Sequence, residues 1–172
     1  MIRWADMLKF SAVLVCAALT LTGQGLSGRR APSFSLPDSR LTQHDILDYR
    51  GRWLLLDFMR TDCPHCKTLT TKLEGFLTRN RAKVAMLSIV LPPDNTQTVG
   101  RYAAETKTTS PIVFDSSQVA IAYFRATPQT SGFDTPHLFA IDPNGNIVKD
   151  WNQLAVEAPG FLAELEQLVN KK

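Results

Sequence analysis

The chain alternates between short, almost continuous apolar runs and longer stretches with apolar residues on one face only. The run "RWLLLDFM" is apolar at nearly every position and has strand length, the pattern of a strand covered on both faces. "KVAMLSIVL" repeats that pattern, and "PPDN" breaks it. Between the two runs, Pro64 suits the first turn of a helix running toward Arg79, where its missing N–H loses no partner. Residues 96–107, "TQTVGRYAAETK", predict a second helix, weakened by Gly100. "SPIVFD" predicts a short strand, "SSQVAIAYFR" a short helix and "ATPQTSGFDTP" a loop. Two further apolar runs, "HLFAID" and "IVKDW", flank Asn144-Gly145, a dipeptide favoured in tight hairpin turns. "APGFLAELEQLVNKK" closes the chain as an amphipathic helix with Leu162, Leu165, Leu168 and Val169 on one face. Ahead of the first strand, "RRAPSFSLPDSR" is a proline-punctuated lead-in, extended around Ser33 to Leu36, and "LTQHDILDYRG" predicts a helical turn closing on Gly51. Strands alternating with helices, then a hairpin and a last helix, predict one three-layer α/β domain around a mixed sheet.

The first 28 residues follow a different pattern. Arg3 and Lys9 precede "FSAVLVCAALTLT", a mostly apolar run, and "GQGLSG" follows with small residues. A positive flank, a short apolar core and a small-residue exit are the parts of a secretory signal. The run is shorter than the ~20 residues that span a bilayer as a helix. Residues 1–28 are therefore expected to be a signal peptide or an N-terminal membrane anchor, and 29–172 the domain. Export would place the domain where cysteines cycle through disulfides, in a periplasmic or other extracytoplasmic compartment.

Composition narrows the function classes. The 172 residues suit one domain, and an apolar fraction of 44% suits a real core. The net charge of +3 comes from scattered basic residues without a Lys/Arg run, so no nucleic-acid role is expected. Three cysteines occur: Cys16 inside the apolar leader, and Cys63 and Cys66 together. One close pair is too few for a disulfide-stapled scaffold.

"DCPHC" therefore carries the chemistry. A closed zinc site needs four ligands; one C-x-x-C supplies two, and His44, His65 and His137 are not spaced as a ligand pair. No metal and no cofactor beyond the dithiol is expected. A static disulfide around two residues would remove little chain entropy from the unfolded state. Redox exchange fits better. The strand delivers Cys63 to the start of a helix, where amide groups and the helix dipole favour a thiolate. His65, when protonated, would add a positive neighbour. Cys66, one turn on and inward, is placed to resolve a mixed disulfide.

With "APSFSLPD", "GRWLLLDFMRTDCPHC" and "TPHLFAIDPNGNIV" in this order, the chain resembles the thioredoxin fold, an α/β/α sandwich, and more closely its TlpA/ResA-like branch of exported thiol–disulfide oxidoreductases. The resemblance runs from about Ala31 to the last helix. It implies that Cys63 is the nucleophile and Cys66 the resolving cysteine. Asp57 matches a buried carboxylate that relays the Cys66 proton, and Pro136 matches a cis-proline beside the pair. Thr135 would then offer its backbone to an extended substrate, and Pro64 would lie on the docking surface. The partners implied are protein thiols and disulfides of the cell envelope, with a membrane electron donor, and the chain is expected to act as a monomer. Met59 and Asp62 stand where thioredoxin has tryptophans. His137, after the proline, is expected to be an exposed residue at a strand start.

The direction of exchange stays open. Pro-His between the cysteines also resembles the exported oxidant DsbA, whose large helical insertion this chain has no room for. The body of the chain leans toward a dithiol donor, such as one keeping apocytochrome cysteines reduced in cytochrome c maturation. A peroxidase of the peroxiredoxin type would need a Thr three residues before its cysteine and a Pro in the same loop; Thr61 is two before, and Phe58-Met59-Arg60 contains no Pro. A copper-handling domain of the Sco type would space its cysteines by three residues and carry a His where this chain has Asp134.

Overall fold

The computed structural model describes residues 25–130 and 132–171. Its centre is the first apolar run, strand β4 (Trp53–Met59), in which Leu54 to Met59 are all buried. The second run, β5 (Val84–Val90), lies parallel to β4 in the register Trp53 to Val84 through Met59 to Val90. β6 (Ile112–Phe114) adds a third parallel strand. On the other side of β4, β7 (His137–Ile141) and β8 (Asn146–Trp151) form an antiparallel hairpin, and β1 (Arg29–Arg30) pairs with β8. The sheet order β1-β8-β7-β4-β5-β6 is a mixed sheet with β4 in its interior, so a run apolar at every position is the run buried on both faces.

The alternation of side chains along β4 sorts the core into two halves. Leu54, Leu56 and Phe58 join Ile89, Phe139 and Tyr123 on one face, where α3 (Gln118–Phe124) packs. Leu55 points the other way, into a cluster with Leu69, Leu73 and Phe76 of α1 (Pro64–Asn80) and Phe161, Leu165 and Val169 of α5 (Phe161–Asn170). Asp57 shares the α1 face. Beside it a smaller cluster holds Met59, Cys66, Val90 and Ile112 with Val99 and Tyr102 of α2 (Thr96–Thr106). This is the three-layer arrangement of the thioredoxin fold.

The turn signals act locally. Asp142 accepts from the amides of Asn144 and Asn146 at 2.9 and 2.8 Å, and Gly145 takes a φ of +81°. That φ is what favours glycine there; a Cβ would also come within 2.5 Å of the Arg50 guanidinium carbon, but that is the end of an exposed, flexible side chain that can move aside. Asn95 caps α2 reciprocally with Thr98, which holds the helix start despite Gly100.

Four features differ from the sequence expectation. The segment "LTQHDILDYRG" forms a strand, β3 (Gln43–Asp45), and then a 3-10 turn over Ile46–Tyr49, where a helical turn alone was expected. β3 pairs with β2 (Ser35–Pro37), a long-range partner that local propensity does not report. A short helix, α4 (Gln153–Glu157), stands between β8 and α5, capped by Asn152. Leu26 packs on the core, and the Gly28 amide donates to the Ile147 carbonyl at 2.8 Å, so contacts of the domain begin ahead of Arg29. Residues 1–24, with Cys16 and the apolar run, lie outside the described residues.

Candidate functional site

The site sits at the carboxyl end of β4. The loop that follows is held by polar contacts: the Thr61 amide donates to Asp94 at 3.1 Å, its hydroxyl donates to the same carboxylate, and Arg60 pairs with Asp62 at 2.8 Å. This anchored loop hands the chain to α1, with Pro64 at the first helical position. Cys63 is the N-cap. Its Sγ accepts the Cys66 amide at 3.2 Å, so an otherwise unpartnered donor of the first turn points at the sulfur. That amide and the helix dipole both favour negative charge on Cys63.

The opposite wall is the bend that leads into β7. The Thr135–Pro136 bond is cis, and the Thr135 carbonyl lies 3.7 Å from Cys63 Sγ, where the thiol can donate to it weakly. The Thr135 carbonyl thus lies against Cys63 although 72 positions of chain separate them.

Cys66 is completely buried, and both cysteines are free thiols. Burial pushes the Cys66 thiol well above the ordinary range, and the charge of Asp57 pushes the same way. Asp57 is completely buried too, and neither carboxylate oxygen has a hydrogen-bond partner. Burial alone raises its pKa to about 8. A carboxyl that titrates there can hold or release a proton near neutral pH. Tyr102, whose hydroxyl is 2.7 Å from Thr70 Oγ1, completes the buried wall, and burial raises its pKa as well.

Two histidines end where the sequence did not place them. His65 lies half exposed, and its Nδ1 meets Glu157 Oε1 of α4. Nothing in the local sequence points to Glu157, because α4 itself went unread. His137 is a correction: only 7% exposed, it is buried rather than solvent-facing. Its Nε2 lies 3.0 Å from Asp150 Oδ2, and its ring stands edge-on to Phe124 at 4.9 Å between centroids. The Ser27 hydroxyl donates to the other Asp150 oxygen. These hydrogen bonds hold the Asp150 carboxyl below its usual range even though burial works against that. Among the described residues, no three His, Cys, Asp or Glu side chains converge as a metal site.

Comparison with known proteins gives the family and the fold. The AhpC/TSA family model matches residues 27–150. The thiol–disulfide oxidoreductase ResA of Geobacillus thermodenitrificans is 27% identical over 125 residues, 71% of this chain and 67% of that protein. ResA of Geobacillus kaustophilus is 26% identical over 120 residues, 70% of this chain and 66% of that protein. The chain thus spans about two thirds of the length of these relatives. Among solved structures, the thioredoxin domain of a thiol–disulfide oxidoreductase from Bacteroides vulgatus superposes with a TM-score of 0.68 at 20% identity, covering 84% of this chain and 98% of that one. A thiol–disulfide oxidoreductase from Bacteroides fragilis gives 0.65 at 22% identity, over 81% and 99%.

Proposed function

The chain belongs to the AhpC/TSA family and is a thiol–disulfide oxidoreductase of thioredoxin-like fold, and we propose that it works outside the cytoplasm, exchanging disulfides with envelope proteins through Cys63 and Cys66. The observation that carries this reading is the asymmetry of the pair. Cys63 is reachable at a helix N-terminus, and Cys66 is buried one turn behind it.

In the reducing direction, the Cys63 thiolate attacks one sulfur of a substrate disulfide. A mixed disulfide forms, and the substrate's other sulfur leaves as a thiolate and takes up a proton. Asp57 accepts the proton of Cys66, and the Cys66 thiolate attacks Cys63 Sγ. The second substrate sulfur leaves and is protonated in turn. Two electrons and two protons reach the substrate, and the Cys63–Cys66 disulfide remains. The backbone at Thr135, partly exposed beside Cys63, pairs with the extended substrate segment, as an added strand does. Export rests on the pattern of residues 1–28. The dithiol-donor direction, with a membrane donor to restore the dithiol and apocytochrome cysteines among the substrates, rests on the likeness to ResA.

Trapping tests this reading. Cys66→Ser is expected to accumulate mixed disulfides with proteins of an envelope extract, and Cys63→Ser to lose insulin reduction entirely. A Cys66→Ser protein that captures nothing, with a native protein that shows no two-electron couple against glutathione, would refute it.

A further inference from the structure

The dipeptide between the cysteines can bias the direction of exchange. A protonated histidine beside the first sulfur stabilises its thiolate, and a stabilised reduced form is a stronger oxidant. The identity of that residue is therefore not enough; what the ring faces decides how much of its charge the sulfur receives.

Here the ring faces α4. His65 Nδ1 meets Glu157 Oε1, and Glu157 is set in place by contacts that do not involve His65. The Asn152 side chain accepts from the Ala155 amide at 3.0 Å and caps α4. Val156, 2% exposed, enters the core cluster that holds Leu69 and Leu73 of α1. That anchor seats α4 against α1 and leaves the next residue, Glu157, beside the first turn of α1. Gln153 donates to the same Glu157 oxygen at 3.4 Å. The other charged side chains flanking the motif are matched already, Arg60 with Asp62 and Lys67 with Glu105. Cys63 Sγ has the Cys66 amide and the Thr135 carbonyl.

We infer that Glu157 is a positioning residue that keeps the His65 ring toward α4, so that the Cys63–Cys66 pair is less oxidising than its Pro-His dipeptide would otherwise make it; this rests on the dithiol exchange proposed above. The carboxylate and the Cys63 thiolate compete for one imidazolium. Held by Glu157, the imidazolium is half of a neutral pair and lends the sulfur little field. Set free, it stands two residues from Cys63 with no carboxylate holding its charge, whereas Arg60, whose charge also reaches Cys63, stays paired with Asp62. The atoms and electrons exchanged stay the same, and only the equilibrium constant moves.

The test is a double-mutant cycle on the full chain, equilibrated against glutathione buffers: native, Glu157→Gln, His65→Ala and the combination. Glu157→Gln is expected to move the equilibrium about fivefold toward the dithiol, the upper range for a partly exposed ion pair. That is about 20 mV more oxidising by the two-electron relation. In the His65→Ala background the same substitution is expected to change nothing. An equal shift in both backgrounds would mean that Glu157 acts directly or through the packing of α4, and would overturn the inference. No shift, or a shift toward a more reducing pair, would overturn it too. Near-ultraviolet circular dichroism checks that each variant keeps its fold. A native protein without a reversible couple would overturn the exchange reading along with this one, whereas a normal couple indifferent to Glu157 would overturn this one alone.

Discussion

Asp57 on β4 and Asp150 on β8 are both drawn away from solvent and have opposite fates. Asp57 is buried behind Cys66 with no hydrogen-bond partner, and its pKa rises to about 8. Asp150, on β8, accepts from Ser27, meets His137 at the start of β7, and stays below the usual carboxylate range. Burial opposes charge at both sites. Partners decide the outcome: without them a carboxyl becomes a proton store, and with them it becomes a fixed charge that ties three segments together. Asp57 is suited to moving a proton, and Asp150 to holding the start of β7, just after Pro136, in place.

The largest effect is expected from Asp57→Asn. General acid–base help contributes roughly 10²–10⁴-fold, so resolution by Cys66 should slow by at least about a hundredfold, and the rise in rate through pH 8 should vanish. Stopped-flow decay of a preformed mixed disulfide reads both. An unchanged pH profile would leave Asp57 with a structural role only.

The same variant should abolish a stability trend. Native Asp57 keeps its proton up to about pH 8, while the unfolded chain loses it near 3.8, so the native state binds more protons between those values. Stability therefore falls as pH rises from about 4 to 8, by about 1.4 kcal/mol per pH unit, and levels off above. Urea unfolding at pH 5 and pH 8 should show that loss in the native protein and not in Asp57→Asn.

Asp150→Asn should act in the other direction. A lowered native pKa contributes stability that is present above the unfolded value near 3.8 and disappears as pH falls through the native one. Removing the charge is expected to destabilise the protein at pH 7 by about 1–3 kcal/mol, through weakened bonds to His137 and Ser27. The exchange rate per folded molecule should change far less than in Asp57→Asn; an equal loss would erase the contrast. Ser27→Ala, which removes one donor, should cost only about 1 kcal/mol, read as a shift in urea midpoint.

Much of this was legible in the residues. A continuous apolar run must be a strand covered on both faces, Pro64 marks a helix start, and Asn144-Gly145 marks a hairpin. The single polar residue inside "LLLDFM" had to be a buried carboxyl once the run was a central strand. Such patterns are local, and backbone sterics and side-chain periodicity enforce them wherever the chain ends up. Other features had no local signal. β2 and β3 are short and depend on each other, and α4 is a five-residue helix stabilised by one cap and one buried valine.

What the sequence alone determined, then, is the order of the long strands and helices, the dithiol at a helix N-terminus, and the acid beneath it. Tertiary structure alone decided what each histidine faces. His65 meets Glu157, and His137 is buried against Asp150 and Phe124, because residues far apart in the chain were brought together by packing of the apolar surfaces around them. A polar contact between distant segments leaves no periodic trace in either one. The hydrophobic pattern determines which surfaces meet, and only their meeting determines which charges become neighbours.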